Sequence, residues 1–244
     1  MKKNIFCVLM LGMVSLYAGQ APVFYASFDE DYHGKAGDGT QLKGKHSQKE
    51  LPALQPGVSG KAAEVGASED RKQEFNVVYP AKNVLSAQKG SVSFWCKSLN
   101  WDTADKDYHV LFRARGGDAE LLIYKVPDPM ISFLIGPLRS ENGKKIWTEL
   151  RGKVTSWKRD EWHFVTVTWG DGKGTLYLDG KSVRRREIPN MPGEFIRFGA
   201  GGLYPARWPK SGKSMIDELK IYDRVLTPEE VAAEYASGAK LIKK

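Results

Sequence analysis

Cysteine is scarce in this chain, with Cys7 and Cys96 the only two among 244 residues. Cys7 falls inside an apolar run near the start. A chain that loses this run keeps one thiol, so a disulfide-stapled scaffold is excluded and the core has to hold without one. Cys96 lies in Val92-Ser93-Phe94-Trp95-Cys96, in phase with Val92 and Phe94, where a thiol reads as a small buried apolar group and not as a nucleophile. Long hydrophobic runs are equally scarce. Met1-Lys2-Lys3 precedes an apolar stretch from Ile5 to Leu16, followed by small or polar residues around Ala18, Gly19 and Gln20. That is the pattern of a cleaved secretory signal over 1–19. About a dozen apolar residues are too few for a permanent span, and no later stretch of about 20 occurs. No Cys stands where a lipid anchor would need one. The expectation is an exported protein, secreted or periplasmic, with one domain over 20–244 and no membrane span.

Chemical motifs are also missing. No Ser-His-Asp arrangement, phosphate loop or Cys/His metal spacing is present. The chain has 37 Lys and Arg against 29 Asp and Glu, a formal charge of +8, and loss of Lys2 and Lys3 with the leader lowers it by two. This balance is compatible with acidic polysaccharides or an anionic envelope, although charge speaks to association and not to fold. Apart from Arg184-Arg185-Arg186 the cations are scattered, without the basic face and interleaved aromatics that nucleic-acid binding calls for. No nucleic-acid partner is expected.

What the chain has in quantity is short strands. After residue 20 nearly every apolar run is alternating or β-branched and closes on Gly, Pro, Asn or Asp, which predicts an all-β, two-sheet antiparallel sandwich. Strands are expected at 23–28, 74–79, 91–98, 108–115, 120–126, 130–135, 146–150, 162–169, 175–178, 182–186, 194–198 and 215–222. Asp179-Gly180 tolerates positive φ at both central positions of a type I′ turn, so it predicts a tight hairpin. From Gly34 to Gly60 the composition shifts to Gly, Lys, Gln, Ser and Pro, and a long exposed loop is expected. One helix is predicted, from Thr227 to Gly238. Thr227 caps it, Pro228 takes the first helical position, Glu230 completes a capping box and Gly238 ends it. Val231 and Tyr235 form the stripe that would lay it on the sandwich.

One hairpin can be read in more detail. With Gly116-Gly117 as a two-residue turn, Ala114, Phe112 and Val110 face Ala119, Leu121 and Ile123 on an apolar side. Arg113 then faces Glu120, and His109 faces Tyr124, on the other. That second side is either a sugar-binding face or a solvated one with a single cross-strand ion pair.

The order of Val23-Phe24-Tyr25-Ala26-Ser27-Phe28-Asp29, Gly60-Lys61-Ala62-Ala63, Ser91-Val92-Ser93-Phe94-Trp95-Cys96, Glu161-Trp162-His163-Phe164-Val165-Thr166-Val167, Leu176-Tyr177-Leu178-Asp179-Gly180 and Ile216-Asp217-Glu218-Leu219-Lys220-Ile221-Tyr222-Asp223-Arg224-Val225-Leu226 resembles the laminin G-like jelly roll of the concanavalin A-like lectin and glucanase superfamily. The resemblance covers nearly the whole chain after the leader. It implies fold and leaves function open, because the superfamily holds lectins, binding modules, adhesion domains, hydrolases and lyases. His163, the residue most tempting as a catalyst, reads better as a packing histidine. The hydrolase pattern Glu-x-Asp-x-Glu along one strand is absent, since no Glu is followed two residues later by Asp. A lyase would need a Tyr or His base beside a cation that neutralises a uronate, and His109, Arg113 and Tyr124 could supply that set. By resemblance a structural Ca²⁺ is expected at Asp29 and Asp217; the alternative is that both carboxylates accept backbone hydrogen bonds.

The reading preferred on these grounds is an exported, non-catalytic module that binds carbohydrate, including acidic polysaccharide. His109, Arg113 and Tyr124 belong to its face, and Trp101, Trp147 and Trp208, with Tyr108 and Tyr204, are the aromatics that would stack on sugar. A lyase or glycoside hydrolase on the same jelly roll, or an envelope adhesion domain that binds protein, are the alternatives.

Overall fold

The computed structural model describes residues 21–46, 48, 50–67, 74–117, 119–139, 143–188, 193–202 and 211–242. Among them the strands run β1 (Phe24–Ala26), β2 (Gly34–Ala36), β3 (Gln41–Leu42), β4 (Gln55–Pro56), β5 (Lys61–Ala67), β6 (Glu74–Phe75), β7 (Val77–Pro80), β8 (Gly90–Ser98) and β9 (His109–Gly116). They continue as β10 (Ala119–Lys125), β11 (Met130–Arg139), β12 (Lys145–Lys153), β13 (His163–Gly170), β14 (Lys173–Leu178), β15 (Lys181–Glu187), β16 (Arg197–Ala200) and β17 (Ser214–Tyr222), and helix α1 (Pro228–Ile242) follows. Two antiparallel sheets form a jelly-roll sandwich. Sheet A has the order β15-β14-β13-β8-β17-β1-β2-β3, with β5 also on β17; sheet B has the order β12-β11-β10-β9-β16-β7.

Alternation decides the layers. In β13, Val165, Val167 and Trp169 point between the sheets, while Phe164 joins Trp95, Tyr177 and Tyr222 on the outer side of sheet A. In β8, Val92, Phe94 and Cys96 do the same from the neighbouring strand. Burial pushes the Cys96 thiol well up from its ordinary range, as suits an inert core thiol. The β14–β15 hairpin turns at Asp179 (φ 49°) and Gly180 (φ 75°) between paired Leu178 and Lys181, as predicted. His163 is the packing histidine expected: its ring stacks on Trp157 at 4.0 Å and its Nδ1 lies 3.1 Å from Asp179 Oδ2.

Helix α1 covers the outer side of sheet A. Thr227 N donates to Glu230 Oε2 at 2.8 Å and Glu230 N to Thr227 Oγ1 at 3.2 Å, the capping box, and Tyr235 stacks on Trp95 at 5.6 Å. Gly238 does not end the helix, which continues to Ile242. A Cβ on Gly238 would lie 2.6 Å from the Trp95 ring, so this glycine lets the helix approach the indole.

Two further expectations change. The 34–60 segment is not structureless, because β2, β3 and β4 attach it to sheet A. Strand β5 went unpredicted because Ala, Gly, Lys and Glu carry little β-propensity; Ala62, Ala63 and Val65 are nevertheless buried.

Candidate functional site

The helix leaves the sandwich asymmetric. On the outer side of sheet B, charged and polar side chains surround a buried apolar patch of Val110, Leu122 and Tyr124. Register orders that face. One row runs from Gly136 through Glu120, Arg115 and Arg197 to Pro80. The next runs from Glu149 through Leu134, Leu122, Arg113 and Gly199 to Val78. Trp147, two residues before Glu149 and therefore on the same side of β12, lies over Gly136, where a Cβ would stand 3.1 Å from its Cε3. The indole is 40% exposed.

The hairpin β9–β10 positions most of these groups, with two differences from the sequence reading. Gly116 pairs with Ala119, so the whole register moves by two residues: Arg115 opposes Glu120, and Arg113 opposes Leu122. An even shift keeps each side chain on its face. The expected ion pair survives diagonally, with Arg113 Nε donating to Glu120 Oε1 at 2.7 Å. Further along, a bulge between Ile123 and Tyr124 leaves Leu111 without a counterpart in β10 and places Val110 opposite Tyr124 and His109 opposite Lys125. One extra residue in β9 reverses the alternation. Val110 consequently joins the outer cluster with Leu122 and Tyr124, and His109 turns away from the outer face.

His109 is buried and fully engaged. Its ring stacks on Trp101 at 4.5 Å, Nε2 is 2.8 Å from Asp105 Oδ2, and Nδ1 accepts from Gly212 N at 2.8 Å. Burial is the leading influence and holds its pKa below the ordinary imidazole range, against the attraction of Asp105. Trp101 is 5% exposed and donates from Nε1 to Ser214 Oγ at 3.0 Å, so it presents no free face to a sugar. Buried Lys125 also bonds Asp105. Together these groups pin the loop after β8 to the start of β17.

Arg113, Tyr124 and Trp147 do share the outer side of sheet B, with Tyr124 buried in it. Their centre is Glu149, which receives Tyr124 Oη at 2.8 Å, Ser132 Oγ at 2.6 Å and Arg151 NH2 at 2.7 Å. Burial raises the Glu149 pKa, but the bonds from Arg151, Ser132 and Tyr124 outweigh it and hold the carboxyl below its usual range. Burial, then donation to Glu149, pushes the Tyr124 hydroxyl well up. At neutral pH Glu149 is thus held ionised and Tyr124 holds its proton, which it donates to Glu149 as a hydrogen bond. Glu120 is likewise matched to Arg113. The face offers ordered donors, cations and an aromatic plate, with each of the two acids answered by its own arginine. Glu149 and Arg151 were overlooked in the sequence, although Trp147, Glu149 and Arg151 alternate with Thr148 and Leu150 in the pattern of a half-buried strand. Tyr108 stacks on Tyr124 at 6.0 Å. Tyr204 and Trp208 lie outside the described residues.

Asp29 and Asp217 converge on the turn between β4 and β5. Asp217 is buried, with Oδ2 accepting from Val58 N (2.7 Å) and Ser59 N (3.2 Å) and Oδ1 from Glu218 N (2.8 Å); Asp29 Oδ1 accepts from Lys61 N (2.9 Å). Burial pushes the Asp217 carboxyl up to about 7 against the pull of those amides. Both Asp217 oxygens are occupied by backbone N–H groups, and no group of three His, Cys, Asp or Glu suited to a metal is found among the described residues. This arrangement is that of turn capping, the alternative to calcium given for these two carboxylates.

Fold and face define an antiparallel β-sandwich with one sheet covered by a helix and the other carrying a charged network around a small apolar cluster. The model of the Concanavalin A-like lectin/glucanases superfamily, in its Laminin_G_3 form, matches residues 72–232, and the chain belongs to that superfamily. Among solved structures it is similar to the receptor binding domain of botulinum neurotoxin D, at 14% identity and TM-score 0.65 over 89% of this chain and 53% of that one. It is similar to the botulinum neurotoxin serotype D ligand binding domain in complex with N-acetylneuraminic acid, at 14% identity and TM-score 0.65 over 89% and 51%. The botulinum neurotoxin type G receptor binding domain matches at 12% identity and TM-score 0.64 over the same shares. At these identities the likeness is one of fold, and the chain spans about half the length of those structures. No curated protein matches the chain.

Proposed function

We propose that the protein is an exported, non-catalytic carbohydrate-binding module whose site is the outer face of sheet B. The observation that carries this reading is the exposed Trp147 beside the ordered Tyr124–Ser132–Glu149–Arg151 network. An indole plate offers the apolar face of a sugar ring its contact, and prearranged donors and acceptors read its hydroxyls, the usual division of labour in small-molecule sites. The leader supports export, and the solved relative with N-acetylneuraminic acid bound is a precedent on the fold for a sugar ligand. Burial of His109 takes one of the two candidate bases, His109 and Tyr124, out of the set that the lyase alternative drew on.

The test is a glycan array followed by calorimetry with Trp147→Ala. The variant is expected to weaken glycan binding by about tenfold or more, near 1.4 kcal/mol, while still unfolding in one cooperative transition, since Trp147 is not part of the buried core. A blank array for the wild type would overturn the reading in favour of a protein-binding adhesion domain.

A further inference from the structure

At the end of sheet B remote from Trp147 the surface opens into a cleft of about 600 Å³, within the roughly 300–1,000 Å³ typical of small-ligand sites. Its apolar floor is Val78, Tyr79, Pro80 and Ile196, and Lys43, Lys45, His46 and Arg197 also line it. The lysine rim is built on ordered backbone: Lys45 N donates to Val78 O at 2.8 Å and Val78 N to Lys45 O at 2.7 Å. Ile196 is 68% exposed, a large apolar side chain held in water.

The charge of this cleft is one-sided. No acidic residue is among the described residues that line it, and Lys43 and Lys45 make no ion pair within the described residues. This contrasts with the centre of the face, where Glu120 and Glu149 are matched to Arg113 and Arg151. Lys43 and Lys45 over an apolar floor suit a ligand with both a negative group and an apolar face. A bare anion would leave the floor unused, and a neutral sugar would leave the lysines unused. Register also joins the cleft to the rest of the face, because Arg197 pairs with Arg115 and Arg115 with Glu120 along the row that ends under Trp147. Four strand spacings of ~4.8 Å make that row about 19 Å wide, enough for an extended chain of sugars. We infer that the cleft is the subsite for the anionic sugar of a glycan bound across sheet B, a ring carrying carboxylate or sulfate, an inference that rests on the glycan-binding reading above.

Calorimetry at one fixed ionic strength tests it with three probes: an oligouronate, a sulfated oligogalactan and a neutral β-glucan oligosaccharide. The paired variant Lys43→Ala/Lys45→Ala is expected to lose about tenfold or more in affinity for a charged probe while keeping its affinity for any neutral one. The uronate and sulfate arms tell which anion the cleft takes. The control Lys106→Ala/Lys181→Ala removes the same charge elsewhere on the surface, and its binding should stay close to wild type. Equal losses in the two pairs would mean bulk charge alone and overturn the subsite. If Trp147→Ala abolishes binding while the cleft pair changes nothing, the glycan reading stands and the subsite falls. If the wild type binds none of the three probes nor any glycan on the array, both fall.

Discussion

Burial gives individual residues roles that their chemistry alone would not suggest. Asp217 was a metal candidate by resemblance, yet it holds the turn after β4 through three backbone amides. Its carboxyl is pushed from 3.8 up to about 7 by burial. A folded-state pKa above the unfolded one contributes stability that is complete below about 4 and is lost as pH rises through about 7. The melting temperature should therefore contain a component that falls over that window. Asp217→Asn offers one acceptor oxygen where the carboxyl offers two and should cost about 1–3 kcal/mol. The gap between wild type and variant should narrow as pH rises from 4 to 8 in thermal melts; a constant gap would refute the assignment.

Single residues that break an alternation or allow a close approach set the elements. The hairpin register was predicted two residues out, an error that preserved every face, whereas the one-residue bulge in β9 reversed the side for His109 and Val110. Such a bulge leaves no mark in composition, because its cause is the fit of β9 between β10 and β16. Gly238 shows the same dependence on a neighbour. In an exposed helix interior Gly→Ala gains about 1 kcal/mol from propensity, but here the new methyl would meet the Trp95 ring, and overpacking costs about 1–3 kcal/mol. Gly238→Ala is accordingly expected to destabilise the protein, with a shift in tryptophan emission as α1 lifts from Trp95. A stabilised variant would contradict the contact.

For the whole molecule, asymmetry between the two sheets matters most. One outer face is covered by α1, and the other carries charged side chains around the small apolar cluster of Val110, Leu122 and Tyr124. Calcium bears on this division. With Asp217 committed to amides, a chelator such as EDTA should leave the melting temperature unchanged, and a drop of several degrees on chelation, reversed by added calcium, would show a cation site outside the residues described. Much of this architecture was legible beforehand: alternation in Val165, Val167 and Trp169, the Asp179-Gly180 turn and the Thr227–Glu230 capping box are local patterns that fold as they read. That Arg113, Tyr124 and Trp147 share one face was also legible, because they occupy outward positions of recognisable strands.

By itself the sequence determined the all-β class, the two-sheet sandwich, the terminal helix and the absence of an in-line carboxylate triplet, since each depends on residue spacing within one segment. Only the tertiary structure decided that His109 and Trp101 face inward, that Glu149 gathers Tyr124, Ser132 and Arg151, and that Lys43 and Lys45 meet Arg197 across one cleft. Those groups are brought together by strand order, bulges and the edge of a sheet. Their neighbours come from distant parts of the chain, where no local period records them.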